Sequence, residues 1–180
     1  LLAIKNLKPV FKDFEYGRLR LIAREAFINL SLNIIEVMNI PRIGRGYIDK
    51  YVKIDNIDYL DNSLKKGKGV ILLAYHFGNW ELANVVCGLK GYRYKTLVND
   101  QRYPLLNNLL NRYRQSKGCE TIKRGIALRE ILKGLSCNEV VAMAGDQGGR
   151  DGQLINLFGI PTPTPNGAFR FALKTGAVLL

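Results

Sequence analysis

The chain has 180 residues, with 27 Lys and Arg against 15 Asp and Glu, a net charge of +12. Hydrophobic residues make up 47% and charged residues 23%, which excludes a disordered chain, and the length supports a real core without staples. Three cysteines without CxxC spacing and a single histidine argue against a disulfide framework or a zinc site, and the positive excess favours an anionic partner: nucleic acid, acidic protein or membrane headgroups.

The cysteine usage reads as a reducing, cytosol-facing compartment. No apolar run reaches the 18 or so residues that a transmembrane helix needs. The chain opens on Leu1 and closes inside the apolar run Ala177-Val178-Leu179-Leu180, so both ends read as cut.

From Glu15 to about Asn39, Leu19, Ile22, Ala23, Ala26, Phe27, Leu30, Ile34 and Val37 recur at helical spacing, and Pro41 and Gly44 end the run. Periodicity alone makes this a core helix. With Arg18, Arg20 and Arg24 between the apolar positions, a helix lying on a membrane is the alternative. From Gly69 the pattern changes. Val70 to Tyr75 is a short continuous apolar run, read as a buried strand. Asn79–Leu89 reads as a helix, Tyr94–Val98 as a strand, Leu105–Ser116 as a helix, and Thr121-Ile122 as a short strand. Ile126–Leu135 is a helix, Val140–Ala144 a strand, Leu154–Phe158 a further strand, Asn166–Lys174 a helix, and Ala177 opens another strand. Strands alternating with helices give an α/β fold with a mostly parallel central sheet flanked by helices, behind a helical N-terminal region. Sites in such sheets gather at the carboxyl ends of strands, which draws attention to His76 and Asp146, each just past a strand.

His76 and Glu81 are five residues apart across a turn at Gly78. That turn can fold the carboxylate back onto the imidazole, fixing its tautomer and leaving the other ring nitrogen to take a proton. On spacing alone His-x4-Glu is weak, and a lone histidine past a strand is more often a turn or core residue. Glu81 also suits the positive end of its helix without any catalytic role. Asp146-Gln147 opens a glycine-rich loop, Gly148-Gly149-Arg150-Asp151-Gly152, which either offers backbone N–H groups to an anion or is a tight turn. It lacks the Gly-Lys-Ser/Thr ending of a P-loop, and Gly44-Arg45-Gly46 fails as a dinucleotide fingerprint. Between Gln101 and Leu135 eight cations, Arg102 and Arg114 among them, face two acids, so half of the net charge falls there. That run is a solvated helix face or an anion-binding one. Nothing places a cysteine beside His76.

The string His76-Phe77-Gly78-Asn79-Trp80-Glu81 after its strand resembles the first motif of the lipid A biosynthesis lauroyl/myristoyl acyltransferases, within the glycerolipid acyltransferase superfamily. Asp146-Gln147, followed by Phe158-Gly159-Ile160-Pro161, Thr162, Thr164, Gly167 and Ala168, is similar to a later block of that family. Arg114-x3-Gly118 is similar to an element between the two. The likeness runs from about Gly69 to Leu180, and the first 65 residues match loosely. Departures are Asn99 where Arg is often found, Tyr103 before Pro104 where Asn is usual, and the Gly148–Gly152 loop.

The resemblance implies two regions: residues 1–65 as a helical, membrane-apposed region and 66–180 as an acyltransferase core truncated at its C-terminus. It implies transfer of a fatty acyl group from an acyl carrier protein or acyl-CoA thioester to a hydroxyl of an anionic lipid acceptor such as a lipid A precursor. The work would be done at the cytoplasmic face of the bacterial inner membrane, without metal or cofactor. His76 would be the base and Glu81 its orienting carboxylate. Arg114, Asp146, Gln147, Asn79, Thr164 and Arg102 would bind substrate. Two other readings stand beside this one. A non-enzymatic basic domain binding nucleic acid would suit the charge and the nine tyrosines, although no helix-turn-helix, zinc-finger or RRM signature supports it. A catalytically inactive lipid-binding homologue is the other.

Overall fold

The computed structural model describes residues 2–147 and 152–180. Four helices come first: α1 (Leu2–Leu7), α2 (Tyr16–Asn39), α3 (Arg45–Tyr51) and α4 (Ile57–Leu64). The core then alternates β1 (Val70–Ala74), α5 (Trp80–Leu89), β2 (Tyr94–Val98), α6 (Pro104–Ser116), β3 (Cys119–Lys123), α7 (Ala127–Ser136) and β4 (Val140–Ala144). A hairpin of β5 (Gln153–Leu157) and β6 (Ile160–Thr164) follows, then α8 (Gly167–Thr175) and β7 (Val178–Leu179).

The central sheet has five parallel strands in the order β3-β2-β4-β1-β7. The continuous apolar runs of β1 and β4 put them in the middle, where both faces are buried. Alternation along these strands divides the core. Ile71, Val141 and Met143 pack with Ile131 and Leu135 of α7 and Ala168 of α8. Val70, Val140 and Ala142 pack with Leu60 of α4 and Cys87 of α5 on the other face. A third cluster, Ile40, Ile43, Ile48 and Val85, joins the end of α2, the 3-10 turn at Ile40–Arg42 and α3 to the outer side of α5. Helix α5 therefore lies between the sheet and the N-terminal helices.

Two expectations change. Helix α2 is not a core helix: only Leu19 and Ala23 are buried, while Phe27 is 61% and Met38 68% exposed. Residues 154–158 do not join the parallel sheet but pair antiparallel with β6, a strand that Pro161 and Pro163 hide from a pattern reading. In a two-stranded ribbon each strand is an edge, where a proline that donates no hydrogen bond is tolerated. The short helices α3 and α4 carry too few turns to show a period. The Gly148–Asp151 part of the glycine-rich loop, Arg150 included, lies outside the described residues.

Candidate active site

Strands β1 and β4 are neighbours in register, with Ala74 opposite Ala144, and the pairing continues one step further as Gly145 N–H donates to the Ala74 carbonyl at 2.9 Å. Two residues past each strand stand His76 and Asp146. The same register that aligns the strands brings these side chains together. Asp146 Oδ1 lies 2.9 Å from His76 Nδ1, and Oδ2 accepts the His76 main-chain N–H at 2.8 Å. The carboxylate thus grips both the ring and the backbone of one residue. Burial opposes ionisation of Asp146, but the His76 ring and backbone hydrogen bonds outweigh it and hold the carboxyl below its ordinary value. An acceptor at Nδ1 fixes the tautomer that carries its proton there and leaves Nε2 as the ring nitrogen outside this contact. Trp80 braces the imidazole edge-on, with ring centroids 4.7 Å apart. His76 keeps 27% and Asp146 29% of the side chain exposed, so both are open to solvent.

The His-x4-Glu spacing predicts Glu81 as the carboxylate on the imidazole; the structure gives that contact to Asp146. Glu81 sits in the first turn of α5 and points to the neighbouring helix. Arg114 Nε donates to its Oε2 at 2.9 Å, Arg114 Nη2 donates to Oε1, and Asn84 Nδ2 donates to Oε2 at 3.1 Å. Tyr94 O–H donates to Asn84 Oδ1 at 2.9 Å, and Arg114 Nη1 donates to Asn111 Oδ1 at 2.9 Å. The pair keeps only about 8% and 10% of its side-chain surface. The forked geometry and the extra hydrogen bonds are what a buried ion pair requires. Arg114, expected to hold phosphate, has all three nitrogens engaged inside the protein. Gly118 of the Arg114-x3-Gly118 element is also explained by packing. It takes φ +82° and lies against Gly88 of α5, where a Cβ on Gly88 would meet the Lys117 carbonyl at 2.0 Å.

The remaining predicted residues do not converge on one spot. Asn79 caps α5, its Oδ1 accepting from Glu81 N–H at 3.1 Å and Leu82 N–H at 3.2 Å, while Nδ2 donates to Glu36 at 2.8 Å. Both of its polar atoms are engaged within the fold. Thr164 ends β6, its hydroxyl donating to the Thr162 carbonyl at 3.3 Å. Gln147 follows Asp146 and is exposed. Arg102 lies at the surface ahead of α6, over the Tyr103 ring. Burial pushes the thiol of Cys87 up to about 11 and that of Cys119 up to about 12, so neither is a nucleophile. Pattern reading misses Asn84, Asn111 and Tyr94. The first two had a signal, since each lies three residues from Glu81 or Arg114 on the same helix face. Tyr94 had none.

Against known proteins, residues 2–180 match the model of the bacterial lipid A biosynthesis acyltransferase family. The chain is 30% identical over 152 residues to a phosphatidylinositol mannoside acyltransferase of Mycobacterium tuberculosis strain H37Rv, covering 81% of this chain and 48% of that protein. It is 29% identical over 150 residues to the protein of the same name from Mycolicibacterium smegmatis, covering 80% of this chain and 49% of the relative. The chain thus spans about half the length of the curated relatives it matches. The resemblance carried by the His76 and Asp146 blocks and the family match agree: the chain belongs to the bacterial lipid A biosynthesis acyltransferase family.

Proposed function

We propose that this chain carries the acyl-transfer centre of an O-acyltransferase that moves a fatty acyl group from a thioester to a hydroxyl of an anionic lipid. The observation that carries the reading is the hydrogen-bonded His76–Asp146 pair at the carboxyl ends of two adjacent central strands. His76 Nε2 removes the proton of the acceptor hydroxyl, and the oxygen attacks the thioester carbonyl. Asp146, across Nδ1–H, stabilises the imidazolium that results. The tetrahedral oxyanion collapses, the C–S bond breaks, and the thiolate takes the proton back from Nε2 to leave as thiol. In this scheme Glu81 supports the site through Arg114 instead of orienting the imidazole directly.

The donor is acyl carrier protein or acyl-CoA, and the acceptor a lipid bearing both hydroxyl and negative charge. The family's lipid A precursors and the phosphatidylinositol mannosides named for the relatives both meet that description. A lipid acceptor implies work at a membrane surface, which we assign to the cytoplasmic face of the bacterial inner membrane. Exposed apolar side chains support a lipid-facing side. Phe77, Leu105 and Leu128 follow the carboxyl ends of β1, β2 and β3, and the cations Arg102, Lys123 and Arg124 fall in the same connections or at the end of the strand. The exposed apolar positions of α2 favour a membrane-apposed N-terminal region. Among the described residues no helix is long and apolar enough to cross a membrane.

The test is the full-length enzyme with a labelled acyl thioester and candidate acceptor lipids. Wild type is expected to give an acylated lipid identified by mass, and His76→Ala to give at least about 100-fold less. Equal product from both would overturn the reading.

A further inference from the structure

Helix α2 touches the site in a way its burial does not explain. Three asparagines and a serine lie along its second half. Asn29, Ser31 and Asn39 each donate to the carbonyl four residues back in their own helix. Asn33 does not. Its Nδ2 donates to the Gly78 carbonyl at 2.7 Å, 45 residues away. One turn later, Glu36 Oε2 accepts from Asn79 Nδ2 at 2.8 Å. Asn79 Nδ2 also lies 3.5 Å from the Asn33 carbonyl.

Gly78 and Asn79 form the turn between His76 and α5. Gly78 sits at φ +60°, and Asn79 at φ −100°, ψ 87°, outside the helical region. The turn has no ladder to hold it, so its carbonyl and its cap need partners from elsewhere. The choice of cap fits the same logic. Serine or aspartate would serve as well at an N-cap, but an amide caps with its oxygen and still has two N–H groups to offer, where aspartate has no donor and serine a single short O–H. Glu36 takes one of them and also puts a negative charge near the positive end of α5.

We propose that Asn33 and Glu36 are positioning residues for the acyl-transfer centre: they clamp the Gly78-Asn79 turn from α2 and so fix where His76 stands. The inference rests on the reading of His76 as the base. It makes α2 part of the working site, not only a surface for lipid.

The experiment uses the full-length enzyme with three changes: Asn33→Ala/Glu36→Ala, Glu36→Gln and His76→Ala. The double variant is expected to lose roughly 10- to 100-fold in kcat, the cost of a misplaced catalytic group. Its KM for the acyl donor stays within about twofold of wild type, because no donor contact is removed. Glu36→Gln keeps an acceptor for Asn79 and is expected to keep near wild-type kcat. A double variant that folds and turns over at the wild-type rate overturns the proposal, as does Glu36→Gln falling as far as the double variant. His76→Ala separates the two ideas: if it transfers acyl groups at a near wild-type rate, the reading of the site fails. The clamp is then judged by hydrogen exchange at the Glu81 and Leu82 amides, which must quicken in the double variant and not in Glu36→Gln. Glu36 is exposed and Asn33 only half-buried, so the melting temperature should hold. If it falls in the double variant, the single Glu36→Ala carries the test on the same readouts.

Discussion

Two carboxylates flank the turn after β1, and the fold uses them in opposite ways. Asp146 stands past the carboxyl end of β4, partly open to solvent, and holds the imidazole. Glu81 is buried among α5, α6 and β2, where Arg114, Asn84 and through it Tyr94 meet it. The open pair is placed by strand register and has room for a reactant. The closed pair ties two helices together and leaves none. An acid five residues from a histidine thus belongs to the scaffold, and one seventy residues away belongs to the histidine. Proximity in sequence is a poor guide to which charge acts on which group.

The contrast can be broken first at His76. His76→Ala should cost about 10²–10⁴-fold in kcat, the usual contribution of a general base, with an unchanged melting temperature. A folded variant of near wild-type rate would remove the base. The next largest effect belongs to the closed pair. Glu81→Ala leaves Arg114 buried without its partner, which should destabilise by about 3–5 kcal/mol and lower Tm by roughly 10 °C. A variant that melts with wild type would show that the pair carries no structural load. Gly88→Ala probes the same helix contact without touching charge. A Cβ there meets backbone at 2.0 Å, and a loss of about 1–3 kcal/mol or more is expected in denaturant titration.

The smallest effect is in pH. Because its folded pKa is depressed, Asp146 adds stability that is complete above the ordinary aspartate value, about 3.9, and is lost as the pH falls through the lower folded value. Asp146→Asn should therefore flatten the acid limb of a Tm–pH curve. An acid limb identical to wild type would contradict the contact with His76.

The core of the fold was legible in the sequence where apolar runs were long enough to show a period. Val70–Tyr75 read as a buried strand and Val140–Ala144 as a strand, and the helices between them read within about a residue of their observed ends. The hairpin partner β6 was not legible, because its two prolines are breakers everywhere but in a two-edged ribbon. The exposure of α2 was not legible either, since periodicity reports an apolar face without saying what covers it. In the site, His76 and Asp146 each stood out as the residue past a strand. Their pairing depends on β4 lying beside β1, and strand order is a tertiary fact that no local spacing carries. Arg114 stood out as a motif residue, but its partner 33 positions away was equally hidden.

The most direct measurement compares Asp146→Asn and Glu81→Gln in the full-length enzyme, each assayed for acyl transfer and for Tm. Asp146→Asn is predicted to lose roughly 10²-fold or more in kcat, since the carboxylate fixes the tautomer and steadies the imidazolium, while melting only slightly below wild type at neutral pH. Glu81→Gln is predicted to melt well below wild type. An Asp146→Asn enzyme that retains full activity, beside a stable Glu81→Gln enzyme that has none, would contradict the assignment and return the role of orienting carboxylate to Glu81.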